Sequence, residues 1–146
     1  MYIYVATDDP NNLINNSNNT KEWLARASGA YLAPWGLGLS MTFESRSGDP
    51  WTRTVSVTGG KTIRSITLNV EPFGSERLPE INLTNLRAEK TISLNARQKV
   101  TLRANLYNAF NSQVPTAVTT LSGVNYGVPT ALVPPRIFEL SGVYRF

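Results

Sequence analysis

The chain has no cysteine and no histidine. The first absence removes disulfides, thiolate metal sites and thiol nucleophiles, and it suits a protein that crosses an oxidising compartment without covalent staples. The second removes Ser-His-Asp and Cys-His machinery, histidine-ligated zinc and a histidine pH switch. Carboxylates are few and scattered: Asp8 and Asp9 share a polar stretch, Asp49 sits in a turn, and the seven glutamates are isolated. A glycosidase pair would have to be assembled by the fold alone. These absences predict no enzymatic activity, with no catalytic, cofactor-binding or metal-ligating residue.

Long apolar runs are missing too. Charged residues, asparagines and prolines interrupt every stretch well short of the roughly 18 to 20 residues that a membrane helix needs. The 14 basic residues outnumber the 10 acidic ones, yet they are spread from Lys21 to Arg145 without a block. That distribution argues against nucleic-acid binding. The first ten residues have no basic head, long apolar centre or small-residue cleavage site, so they do not form a secretory signal.

What the sequence does have is period-two alternation. In residues 37–44, Leu37, Leu39, Met41 and Phe43 alternate with Gly38, Ser40, Thr42 and Glu44, the pattern of a strand with one apolar face. Residues 22–33 repeat it weakly, with Trp23, Ala25, Ala27, Gly29, Tyr31 and Ala33 on the side free of charge. Residues 82–94 place Leu86, Ala88, Ile92 and Leu94 together, and residues 99–110 place Val100, Leu102, Ala104, Leu106 and Phe110 together. Asn108 interrupts the last row and marks a place for a bulge. Residues 1–6 supply the end of one further strand.

Lys90 intrudes on an apolar row. At mid-membrane it would cost about 2 to 4 kcal/mol, but far less near an interface where its stem can snorkel. This places Lys90 close to the periplasmic rim of a membrane wall.

Connections alternate in length. Short turns at residues 34–36 and 95–98 interleave with long polar stretches at 7–21, 46–79 and 111–135. Residues 11–19, rich in asparagine, read as a solvated loop, and the stretch from Trp51 to Pro79 carries room for a hairpin of its own. Strands of about 10 residues, at roughly 3.4 Å per residue and about 45° of tilt, span on the order of 24 Å, the height of an outer-membrane apolar band. The expected fold is all-β: an antiparallel meander of about six strands, forming the C-terminal part of a large transmembrane β-barrel with long extracellular loops and short periplasmic turns. Six strands close no barrel, because the smallest single-chain barrels have about eight.

The final strand alternates as well, with Phe138, Leu140, Gly142, Tyr144 and Phe146 on one face and Ile137, Glu139, Ser141, Val143 and Arg145 on the other. This ending resembles the C-terminal sorting and assembly signal of bacterial outer-membrane proteins, a terminal Phe preceded by apolar residues at alternate positions. A common form of that signal has glycine five residues from the end, where this chain has Ser141, with Gly142 one place later. The resemblance assigns the assembly signal to Phe138, Leu140, Gly142, Tyr144 and Phe146, to be read by the barrel assembly machinery through β-augmentation.

A further resemblance covers about residues 23–146. The segments Asn85-Leu86-Arg87-Ala88-Glu89-Lys90 and Leu106-Tyr107-Asn108-Ala109-Phe110-Asn111, with the ending from Pro135, look like the C-terminal barrel of TonB-dependent receptors of the Oar-like branch. The pieces Tyr31 to Gly36 and Ser47-Gly48-Asp49-Pro50-Trp51-Thr52 are similar to a strand, turn and loop start of those proteins. Asn85 stands where Asp is frequent, and Tyr107 where Phe is. Such receptors are outer-membrane transporters of about 22 strands around a plug, energised by TonB. The resemblance implies that residues 1–146 are a C-terminal wall segment, placed in the bacterial outer membrane and not transport-competent alone. Its implied partners are outer-membrane lipid, the assembly machinery and the rest of the same barrel and plug. TonB would be reached only through an N-terminal part outside this sequence. Two alternatives stand beside it: a soluble extracellular β-sandwich binding glycans through Trp35, Trp51 and Tyr126, and the end of a non-transporting outer-membrane barrel.

Overall fold

Side chains one residue apart on a strand point to opposite faces, so alternation in the sequence becomes a two-faced sheet once register is fixed. In the computed structural model, which describes residues 10–14, 17–61 and 64–146, the protein is all-β. Its principal strands are β1 (Leu24–Ala33) and β2 (Leu37–Arg46). Four short strands follow: β3 (Pro50–Trp51), β4 (Thr54–Thr58), β5 (Ser65–Asn69) and β6 (Glu76–Arg77). Then come β7 (Ile81–Ser93), β8 (Lys99–Tyr107), β9 (Pro115–Val118), β10 (Pro129–Leu132) and β11 (Ile137–Arg145). A single short helix, α1 (Asn11–Ile14), precedes them.

Five strands form one antiparallel meander in the order β1-β2-β7-β8-β11. Each strand pairs with the next long strand along the chain. The meander expected from the alternation is therefore present. Its predicted first strand, residues 1–6, lies outside the described residues. The chain divides into two compact units. The sheet unit comprises Trp23–Ser47, Glu80–Val114 and Val133–Phe146, and the loop unit comprises Gly48–Pro79, Pro115–Leu132 and the described part of Met1–Glu22.

The short turns have local causes. Between β1 and β2 the chain reverses over Pro34–Gly36, with Trp35 at φ 65° and Gly36 at φ 71°. Glycine adopts that conformation freely, whereas for Trp35 it costs about 1 kcal/mol. Between β7 and β8, Asn95 Oδ1 accepts hydrogen bonds from the backbone N–H of Arg97 (3.0 Å) and Gln98 (2.8 Å), an asparagine-closed turn.

At the opposite end of β8 the expected bulge is absent: the strand stops at Tyr107, and Asn108 turns the chain with φ 48°. Asn108 is buried. Its Nδ2 donates to the carbonyls of Ser112 (2.9 Å) and Pro134 (2.8 Å), while its Oδ1 accepts from Ser112 N–H (2.8 Å). A buried side chain so fully bonded ends the strand, and Asn among non-glycine residues tolerates the left-handed backbone best.

The loop unit holds more structure than its sequence suggests. β4 and β5 form the hairpin expected inside the long second connection, and β3 pairs with β6. The third connection, expected as a plain loop, contains the irregular hairpin β9–β10. Threonine 54 ties these two connections together: its N–H donates to Thr120 O (2.9 Å) and its carbonyl accepts from Ser122 N–H (2.7 Å). The asparagine-rich stretch is also more than a solvated loop. Asn11 Oδ1 accepts from Asn69 N–H (2.8 Å) and its Nδ2 donates to Thr67 O (3.1 Å), which fastens α1 to β5. Gly48 is required sterically, since a Cβ there would collide with the Leu78 carbonyl.

Candidate functional site

Register sorts the side chains of the sheet into two faces. Reading across β1-β2-β7-β8-β11, one row is Tyr31, Leu39, Ala88, Ala104 and Leu140, and the next is Gly29, Met41, Leu86, Leu106 and Phe138. All five strands thus contribute their apolar sides to the same face, including β1, whose alternation was weak. The opposite face carries Arg26, Ser40, Thr42, Glu44, Arg87, Glu89, Arg103 and Glu139.

The apolar face is bare. Tyr31, Leu39, Met41, Phe43, Leu86, Ile92, Leu102, Phe138, Leu140 and Tyr144 all stay exposed, reaching 71% for Leu140. Among the described residues the buried large hydrophobics are only Leu78, Ile81 and Val133. A soluble domain hides one face of a sheet against a second layer, and within the sheet unit no second layer is present among the described residues. A covered side chain of this kind contributes about 1.5–3 kcal/mol, so these half-exposed residues together forgo on the order of 10 kcal/mol in water, as much as a typical domain's whole stability.

The polar face satisfies its charges across strands. Arg26 Nε donates to Glu44 Oε2 at 2.8 Å, and Arg46 approaches the other oxygen of the same carboxylate at 3.8 Å. Glu89 Oε2 accepts from Arg87 Nη2 (2.6 Å) and from Arg103 Nε (2.7 Å). Thr91 and Thr101 hydroxyls meet at 3.0 Å. Their partial exposure suits a wetted surface, where each pair contributes little to stability.

The five residues assigned to the assembly signal share the apolar side of β11 or its continuation. Phe138, Leu140, Gly142 and Tyr144 lie opposite Leu106, Ala104, Leu102 and Val100 of β8. Phe146 follows the strand, 94% exposed, with its ring 6.0 Å from that of Tyr144. A Cβ at Gly142 would rest 3.7 Å from Leu102 Cδ2, an ordinary contact, so sterics do not demand glycine there. β11 pairs on one side only, as does β1, so the sheet has two open edges among the described residues.

Three of the five segments that carry the resemblance, residues 85–90, residues 106–111 and the ending from Pro135, are joined by asparagine hydrogen bonds. Asn85 Oδ1 accepts from Asn108 N–H (3.0 Å), Asn108 bonds Pro134 O, and Asn111 Oδ1 accepts from Arg136 N–H (3.0 Å). Alternation could not reveal this knot, because it is built from single asparagines, one within β7 and two just past the end of β8. The ion pairs needed the register as well: Glu44 and Arg26 meet only once β1 is paired with β2.

Of the three aromatics named for a glycan site, two come together. Trp51 and Tyr126 rings lie 5.7 Å apart, and the Arg53 guanidinium stands 5.0 Å over Tyr126, held by a 2.8 Å bond from its Nε to Ser122 Oγ. Trp51 Nε1 is buried without a hydrogen-bond partner. Trp35 belongs to the β1–β2 turn and is 87% exposed. Among the described residues no three carboxylates are grouped to hold a metal ion. No family model, curated protein or solved structure matches this chain.

Proposed function

We propose that this chain is the C-terminal wall segment of an outer-membrane transport barrel of the TonB-dependent receptor kind, taking part in energised uptake only with the remainder of that barrel and its plug. The observation that supports the reading best is the apolar face: five consecutive strands present one uncovered hydrophobic surface, backed by a face of partly exposed ion pairs. A wall between hydrocarbon and an aqueous lumen asks for that arrangement. In this reading the short turns face the periplasm, the long connections leave the opposite ends of the strands, and β11 is the strand presented to the assembly machinery. The two open edges join further strands, since an unpaired backbone group in lipid costs several kcal/mol. No catalytic step is assigned to any residue.

The test is reconstitution of the chain together with the remainder of its barrel in lipid vesicles, followed by protease digestion. Protection of peptides from β2, β7 and β8, together with cleavage in residues 48–79, is the expected result. A monomer that stays soluble without detergent and is digested throughout would overturn the reading. The receptor assignment has its own check in the DNA upstream of the Met1 codon, where a plug domain is expected in frame; an upstream frame encoding only further barrel strands would leave a non-transporting barrel instead.

A further inference from the structure

Lys90 is the one charged side chain in the apolar rows of the sheet. It stands in a row with Leu37, Leu102 and Gly142, directly opposite the first residue of β2 and so next to the Pro34–Gly36 turn. Among the described residues it makes no ion pair. The neighbouring row has small side chains at its middle, Ala88 and Ala104, between Leu39 and Leu140. Small residues flanked by large ones leave a groove of about 500 Å³ lined by Leu37, Ala88, Lys90, Leu102, Ala104 and Leu140, with Glu89 and Arg103, which pair with each other at 2.7 Å, also contributing to it.

We propose that this groove binds one anionic phospholipid of the periplasmic leaflet, with an acyl chain along Ala88 and Ala104 and the headgroup phosphate on the Lys90 ammonium. The inference rests on the wall reading, which puts this face in lipid and the short turns at the periplasmic side. Charge complementarity selects the occupant. An unpaired ammonium on a hydrocarbon-facing surface is costly unless its stem carries it to the headgroup level, and an anionic headgroup there supplies the missing counter-ion. The groove supplies the other half of an amphipathic ligand's needs, a slot of matching apolar character continuous with the cation. A zwitterionic lipid fits the slot equally well and gains less at Lys90, so headgroup charge is the discriminating variable.

The chain reconstituted within its complete barrel in mixed phosphatidylcholine and phosphatidylglycerol vesicles, then released for native mass spectrometry, gives the test, with protease protection read on the same samples. Wild type is expected to retain phosphatidylglycerol over phosphatidylcholine by about fivefold, the effect of one basic residue at an anionic surface. Lys90→Gln should bring the two lipids to parity with protection unchanged, Lys90→Arg should keep the preference, and Ala104→Leu should lower retention of both lipids by filling the groove. Protected wild type without a preference, or a preference that survives Lys90→Gln, overturns the lipid site and leaves the wall reading intact. Digestion of β2, β7 and β8 peptides in every vesicle overturns the wall reading, and the site with it.

Discussion

The sheet unit and the loop unit are made by one chain with opposite means. In the sheet, strands of 9 to 13 residues hold a strict register and leave large apolar side chains uncovered. In the loop unit, strands of 2 to 5 residues are fastened by side-chain bonds such as Asn11 to Asn69 and Arg53 to Ser122. The difference teaches that the two units are specified in different ways. One is specified by which face a side chain takes, and the other by which backbone group each polar side chain reaches.

The sharpest way to break that comparison is to place a charge on each face in turn. Met41→Arg, near the middle of β2, is expected to cost about 2–4 kcal/mol in lipid, whereas Thr42→Arg, one residue on, should change stability by less than about 0.5 kcal/mol. Urea titration of the reconstituted chain measures both, and equal effects would mean that the two faces see the same medium. Next in size is Asn108→Ala, which removes three side-chain hydrogen bonds at a left-handed corner. A loss of about 2–3 kcal/mol is expected by the same titration.

A smaller effect belongs to the loop unit alone. Tyr126→Ala removes both the Trp51 ring contact and the Arg53 cation–π contact. Its expected cost is about 1–2 kcal/mol, seen as faster amide exchange in β3 and β4 with the protection of β7 and β8 unchanged. Smaller still is the effect of Glu44→Gln, which weakens two partly exposed pairs. About 0.5 kcal/mol is expected, vanishing at high salt, because exposed pairs are screened. A loss of several kcal/mol that salt does not touch would show the polar face to be dry.

The sheet was largely legible because strand parity is a property of neighbouring residues. Leu37, Leu39, Met41 and Phe43 announce a face by themselves, and Tyr31 joins it once β1 pairs with β2. The glutamates looked isolated for the same reason: Glu44 and Arg26 are 18 residues apart in the chain and meet only across a strand pair. The β9–β10 hairpin was missed since Pro115, Ala117, Pro129 and Ala131 give no alternation to read. Asn108 was read as a bulge within a row, when it is a corner whose partners lie as far away as Pro134. Such contacts depend on tertiary placement, which local sequence does not encode. Of the proposed assembly signal, alternation is legible in the sequence and the structure adds only position: the five residues lie along the exposed side of an edge strand and its continuation.

The open edge along β1 carries an instruction for whatever strand lies beside it. Ala27, Gly29 and Tyr31 occupy alternate positions with Arg26, Ser28 and Ala30 between them, so a neighbour can dock in even steps without penalty to its polarity pattern. In the proposed wall, an odd step would turn its charges toward oil and its leucines toward water. Parity at that margin would then proofread the pairing one residue at a time, with no specific contact required.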